Sequence, residues 1–433
     1  MVALNKKIML GLSSFQFMAM ARRGLFYTFL SIYLLENLKL SVTATTLLAS
    51  LTMVTNSVSQ TFVWGKISDK YQARQSLIVI GETIAAFGYI ILYFFHIHLL
   101  NTNGSIAAAY SIIAGLSLLE FFWSMSNLGW SALISDLTTS QERGKLMSVI
   151  SSIGGVGRIL GITVSGLLYD WGGEAGGFKN GTLFFFASGI MLASAALVWF
   201  STHSSEEIYK NRQNDKVFFK QNTALTNDYS SRAFYWFLAS IFIVGIGMYC
   251  ILQIFVLYLE LDSAIDANPF EISMISNSAS VATIVFSLLA GPLADRVGRK
   301  TALGLGLALA TVTPFLYISV QDASQMIIIN SLSGVSMALI STCGYLLAAD
   351  LIPVELRGRL FGQYNAATSV SFGLAGTFVG GPIADFLIST GATEAAAFVT
   401  TFQVASIISL IGTFMFIAKV KGATRTNQKT EIQ

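Results

Sequence analysis

Apolar residues along this chain fall in blocks rather than in the short alternations of strands. Runs of about 20 mostly uncharged residues, the length a helix needs to cross bilayer hydrocarbon, recur from one end to the other. Taken in order they predict twelve helices, over roughly 8–35, 43–64, 76–98, 105–134, 146–168, 181–201, 233–259, 271–290, 301–319, 325–348, 360–386 and 396–418. The first run is longer than the apolar core of a cleavable leader, so it reads as the first span. The polar stretch between the sixth and seventh runs divides the pattern. It predicts residues 1–201 as one six-helix bundle, 202–232 as a linker, 233–420 as a second bundle and 421–433 as a tail.

Composition turns this pattern into a solvent argument. The 433 residues are 54% hydrophobic and 11% charged, against about 25% charged in ordinary soluble chains. The expected fold class is an all-α membrane protein, because lipid offers backbone polar groups no partner outside a helix. Charge then orients the spans. Of the loop cations, only Lys39 and Lys179 fall on one side; the others, from Lys6 and Lys7 to the last residues, fall on the opposite side. Cations mark the cytoplasmic side, so both termini are expected there, in the plasma (cytoplasmic) membrane. Two cysteines, Cys250 and Cys343, both in apolar runs, exclude a disulfide framework. The three histidines have no metal-ligand spacing, and no phosphate-cradling glycine loop is present. An enzyme, a metal centre, a cofactor and a nucleic-acid partner are not expected.

One short polar pattern occurs twice. Residues 65–74 read GKISDKYQAR and residues 291–300 read GPLADRVGRK, each between apolar runs. Gly65, Asp69, Lys70 and Arg74 are matched by Gly291, Asp295, Arg296 and Lys300, with Gly298 and Arg299 adding to the second copy. After the fourth run come Asp136 and Arg143; after the tenth, Asp350 and Arg357, again seven apart. Gly166 and Asp170 close the fifth run as Gly381 and Asp385 close the eleventh. Landmarks repeated in this order predict an internal duplication and a site at mid-depth between the halves.

With its six-plus-six spans and its G-x-x-x-D-[KR] and D-x6-R-G-[KR] stretches, the chain resembles the major facilitator superfamily, drug-exporter-like branch, over essentially its whole length. It departs from that pattern at Gln72, where a glycine is usual. No arginine lies in the fourth span, and no Gly-Pro pair in the glycine-rich fifth. The resemblance implies two six-helix bundles rocking around a central cavity lined by spans 1, 4, 7 and 10. It implies a secondary transporter, proton-coupled and exporting small amphipathic compounds; the alternative is a symporter or facilitator for a sugar, organic anion or other nutrient. A receptor that has lost transport is a third reading. Partners would be a small-molecule substrate, membrane lipid and protons, with the chain a monomer. The charged stretches then become a cytoplasmic gate, with Gly65 and Gly291 allowing close approach and Asp69 and Asp295 capping facing helices.

The remaining candidates are charges inside spans, each needing a partner or a wet cavity. Arg22 and Arg23 lie in span 1, Glu82 in span 3, Glu120 in span 4 and Arg158 in span 5. Glu120 is read either as the proton-coupling carboxylate or as half of a structural pair with an arginine, Arg158 being nearest in sequence. Glu82 reads as structural and nearer the cytoplasmic surface. Tyr27, Trp123, Tyr249, Gln253 and Asn330 complete the proposed proton and substrate set. Polar stripes at helical spacing, Thr52, Thr55, Asn56, Ser59 and Gln60 in span 2 and Ser273, Ser276, Asn277 and Ser280 in span 8, are read as a seam that opens during transport. Gly157 and Gly161 read as packing positions.

Overall fold

The structure, a computed structural model, describes residues 6–71, 74–137, 140–202, 231–352 and 356–420. The predicted linker and tail lie mostly outside them, as do Gln72 and the side chains of Asp69, Asp136, Arg143 and Arg357. The described residues are helical with no strand. We number the main helices α1 (Lys6–Tyr27), α2 (Val42–Val58), α3 (Arg74–Asn103), α4 (Ser105–Leu137), α5 (Ser140–Leu168) and α6 (Thr182–Thr202). There follow α7 (Ser231–Cys250, resuming as Leu252–Glu260), α8 (Pro269–Val297), α9 (Arg299–Tyr317), α10 (Ala323–Leu351), α11 (Arg357–Ala375) and α12 (Glu394–Lys419). Among the described residues, ten helices are long and apolar enough to cross a membrane. Neither α1 nor α2 is among them: α1 carries Arg22 and Arg23, and α2 has 17 residues before it passes into a π-helical turn at Ser59–Trp64.

Helix ends carry the expected local chemistry. Ser41, Asp322 and Thr393 each accept a backbone N–H from three residues on, which begins α2, α10 and α12. At α8 the cap is reciprocal: Asn268 Oδ1 accepts from the Glu271 N–H at 3.0 Å, and Glu271 Oε2 accepts from the Asn268 N–H at 2.9 Å.

The chain divides into two compact units, Met1–Gln221 with Gln253–Ser280, and Asn222–Leu252 with Val281–Gln433. Helix pairing repeats between the first six helices and the last six. In the first, α1 packs on α5 and α6, and α3 on α4 and α6; in the second, α7 packs on α11 and α12, and α9 on α10 and α12. The matched landmarks of the sequence are thus matched by matched packing. One apolar cluster of the first unit joins Leu12, Phe15, Ile78, Trp130, Ile150 and Val198; one of the second joins Phe237, Val244, Leu303, Leu307, Leu339 and Phe416.

Small residues set how closely α1 and α5 approach. A Cβ on Gly157 would lie 2.3 Å from the Phe17 carbonyl, one on Gly161 2.0 Å from the Ala21 carbonyl, and one on Gly24 2.4 Å from the Arg158 carbonyl. The packing role read for Gly157 and Gly161 is what the geometry shows. Gly166 serves another contact, where a Cβ would lie 1.9 Å from Ser273 Oγ of α8.

Much of each repeated charged stretch is helical among the described residues: Gly65–Tyr71 forms a helix, and α8 runs through Asp295 and Arg296 to Val297. Only Gly298 separates α8 from α9, and its φ of 92° is a conformation that glycine adopts without strain. Among the described residues, nothing lies within 4 Å of a Cβ on Gly291, and a Cβ on Gly65 meets only the Gln60 carbonyl of its own π turn.

Substituting Gly161→Ala is expected to destabilise the protein by about 1–3 kcal/mol through overpacking. Gly291→Ala should be neutral within about 0.5 kcal/mol. Thermal unfolding in detergent, followed by tryptophan fluorescence, measures both.

Candidate functional site

The charged side chains of the spans gather inside the first unit, and none of the mid-span arginines forms an ion pair with either glutamate. Arg22 is 1% exposed. Its Nη1 donates to the Tyr89 hydroxyl at 2.6 Å. Its Cζ lies 5.7 Å from the centre of the Tyr89 ring and 5.2 Å from that of Trp123. Arg23 points to the same indole from another direction, with Cζ 4.4 Å from the ring centre. Consecutive helix positions diverge by about 100°, and Trp123 of α4 is wide enough to receive both. A guanidinium over an aromatic face is stabilised by the ring quadrupole without the desolvation of a second ion.

Glu82 is also 1% exposed. It lies against Ser194 of α6 and Trp123 of α4, within Coulombic reach of Arg22 and Glu120. That changes the reading of Glu82 as a separate structural charge near the cytoplasmic surface: it shares the environment of Arg22. Arg22 Nε and Nη2, Glu82 Oε1, Trp123 Nε1 and Ser194 Oγ are buried without a hydrogen-bond partner among the described residues.

Glu120 is buried and turned to another set of groups. Its Oε2 accepts from Asn56 Nδ2 at 2.9 Å, and its Oε1 from the Tyr27 hydroxyl at 3.4 Å. Gln60 Nε2 donates to Asn56 Oδ1 at 2.7 Å, and Ser59 and Ser124 exchange a hydroxyl hydrogen bond at 2.6 Å. Much of the α2 polar stripe therefore bonds to α4 within the first unit. The α8 stripe meets α5 in the same unit: Ser273 Oγ donates to the Ile162 carbonyl at 3.1 Å and Asn277 Nδ2 to Thr163 Oγ1 at 2.8 Å. Glu120 does not pair with Arg158. That arginine is exposed on α5 and lies within Coulombic reach of Arg23.

Of the candidates of the second half, Tyr249 stacks edge-on with Phe372 and reaches Met337 Sδ at 3.8 Å. Gln253 is half-buried one turn on. Asn330 is buried at the α9–α10 contact, where its Oδ1 accepts from the Tyr317 hydroxyl at 2.8 Å. Sequence reading missed Tyr89, Asn56 as a carboxylate partner, and Ser194. For Tyr89 a signal was available: it lies seven positions after Glu82, two turns along the same buried face of α3.

At the charged stretches, Arg299 Nη1 pairs with Asp350 Oδ1 and also donates to the Leu346 carbonyl at 3.3 Å, tying the start of α9 to the end of α10. Lys300 Nζ donates to the Ile417 carbonyl at 3.1 Å, in the last turn of α12, where a cation is favoured. Arg74 Nη1 donates to the Ser68 carbonyl at 2.6 Å. Lys70 lies over the Tyr71 ring at 5.1 Å. Asp295 and Arg296 are exposed, and Asp295 caps no helix among the described residues.

A duplicated set of apolar helices, with charges and amides held inside a unit away from ion pairs, has the build of a membrane transporter. The chain belongs to the Major Facilitator Superfamily, whose family model matches residues 12–266 and 237–433. "Multidrug resistance protein 2" of Bacillus subtilis (strain 168) is 26% identical over 299 residues, covering 68% of this chain and 66% of that protein. The match thus spans just under two thirds of that relative's length. "Multi-drug resistance efflux pump PmrA homolog" of Lactococcus lactis subsp. lactis (strain IL1403) is 22% identical over 331 residues, or 75% of each chain. The solved structure of the nucleoside transporter NupG superposes with a TM-score of 0.71 at 16% identity, covering 96% of this chain and 100% of that one, and shows the same fold.

Removing the Tyr89 hydroxyl takes from Arg22 the one hydrogen bond it makes among the described residues. Tyr89→Phe is expected to cost about 1–3 kcal/mol, read as a lower unfolding temperature. Tyr93→Phe, whose hydroxyl makes a 3.5 Å contact with the Lys179 carbonyl, should change it little.

Proposed function

We propose that this transporter works by alternating access with twelve spans in two six-helix bundles, both termini cytoplasmic and the chain a monomer. Glu120 carries the coupling proton. The observation that bears this reading is the setting of Glu120: a buried carboxylate inside a span, held by a phenol and an amide with no cation paired to it. Tyr27 and Asn56 stabilise either protonation state, since a hydroxyl can turn and an amide offers both donor and acceptor. A carboxylate locked in an ion pair would release and regain its proton at greater cost. The substrate is a small amphipathic compound and the direction is export, which the names of the two multidrug relatives support. Arg22, Arg23, Arg158, Tyr27 and Trp123 form the substrate and proton region of the first half, and Tyr249 and Gln253 are the candidate substrate residues of α7. The motif residues, including Asp69, Asp136, Arg143 and Arg357, act as the cytoplasmic gate. Symport of an organic anion is the second reading, favoured by Arg23 and Arg158, two neighbouring cations without a carboxylate.

The full chain reconstituted into liposomes with an internal pH dye tests this. A panel of lipophilic cations, anions, sugars and amino acids is added outside. At least one compound should move protons, and Glu120→Gln should cut that movement at least about tenfold. Lumenal alkalinisation on substrate entry identifies exchange; acidification identifies symport. Uphill transport by Glu120→Gln with unchanged pH dependence would overturn the role of Glu120.

A further inference from the structure

The proton role of Glu120 does not say what Arg23 and Arg158 of the same region bind. The α1–α5 contact forces them together, because Gly24, Gly157 and Gly161 remove the side chains that would hold the helices apart. Arg158 is exposed although it sits in the middle of α5. Positions 154, 158, 162 and 166 recur every four residues and form one row that winds slowly around the helix. Along that row Gly154 meets Gln16 and Met20 of α1, and Gly166 meets Ser273 of α8. Arg158 therefore opens between α1 and the start of α8, on the side of α5 opposite the exposed apolar Val156 and Leu160.

Two guanidinium groups within Coulombic reach repel each other, and weakly screened surroundings sharpen the repulsion. Among the described residues neither has a hydrogen-bond or ion-pair partner. The two carboxylates nearby are engaged elsewhere, Glu120 by Tyr27 and Asn56 and Glu82 beside Arg22, Trp123 and Ser194. The arrangement lacks a negative charge, and the exposure of Arg158 leaves room for one to arrive. Trp123 adds a second element: its ring holds the Arg23 guanidinium from one face at 4.4 Å, which leaves the N–H edge free to bind. A planar fork of donors suits a carboxylate or a phosphate more than any neutral group.

We propose that Arg23 and Arg158 form an anion-binding site and that the transported compound is an organic anion, an apolar body carrying a carboxylate, sulfonate or phosphate. This rests on the carrier reading above but on neither Glu120 nor the direction of transport. An anion is driven outward by an inside-negative potential, about 2.3 kcal/mol per charge per 100 mV, and inward when it travels with a proton, so the site serves either direction.

The test uses purified full-length protein in detergent and three probes of one shape: naphthoate, naphthamide and naphthylmethylammonium, with inorganic phosphate as a fourth. Binding is followed by displacement of radiolabelled naphthoate. Naphthoate should bind at least about tenfold tighter than the amide, as expected for an added charge-assisted pair, and the ammonium compound more weakly still. Arg23→Gln and Arg158→Gln should each bring carboxylate and amide to near parity, and Arg158→Lys should keep part of the preference. Arg232→Gln, at an exposed position outside the motifs, should keep all of it. Amide binding equal to carboxylate binding, a preference for the ammonium compound, or no saturable naphthoate binding would overturn the proposal. Phosphate displacing naphthoate with equal affinity would also overturn it, since the site would then select an inorganic ion. The preference is read on the wild-type chain, so a variant that fails to fold does not decide the matter. Proton movement is read separately on liposomes, so loss of coupling with the anion preference intact sinks only the role of Glu120, and the reverse result sinks only the anion site.

Discussion

An ion inside a bilayer costs at least about 2.5–3.5 kcal/mol even on the lenient insertion scale, and the first unit is arranged around that cost. The direct remedy, pairing each guanidinium with a carboxylate, is not used. Arg22 is held by a phenol and an indole face, Arg23 by the same indole, and Glu120 by a phenol and an amide. Each charge is stabilised by groups that carry no opposite ionic charge. Breaking a buried ion pair leaves an uncompensated charge and is strongly unfavourable, whereas a carboxylate held by hydroxyl and amide can take a proton without stranding a cation. A site that must alternate between occupied and empty is served by partners of this softer kind.

That arrangement depends on backbone proximity. Trp123 can receive two consecutive arginines only because α1 lies close to the α4 and α5 side chains, and α1 lies close because α5 presents glycine at 154, 157 and 161. Farther along α5, on another side of the helix, Gly166 meets α8 through Ser273. One helix thus carries the small residues that shape the charged region and, two turns on, a contact built from a hydroxyl and an amide. Contacts of small and polar residues are weaker per pair than buried apolar surfaces and re-form readily, which suits helices that slide.

The duplication is strict in packing and loose in chemistry. α1, α5 and α6 are matched by α7, α11 and α12, yet the mid-span charges lie in the first half alone. Where the first half has Glu82, Tyr89 and Glu120, the second has Tyr249 against Phe372 and Asn330 bonded to Tyr317. The charged motifs diverge similarly: in the second copy Gly298 alone separates α8 from α9, and Arg299 ties α9 to α10 through Asp350.

Apolar block length and repeated landmarks determined the helical class and the family, because lipid requires long apolar helices and so writes them directly into the chain. The glycine spacing of α5 declared its packing role for the same reason, since close approach requires a small residue at each turn. The partners of the charges were decided only in three dimensions. Glu120 turned to Asn56 and Tyr27, Glu82 joined Arg22, and Asn330 bonded to Tyr317, through helix rotations and depths that no linear spacing encodes. A carboxylate four turns away along another helix is indistinguishable in sequence from one in contact, and only helix rotation and side-chain reach in the packed bundle choose between them.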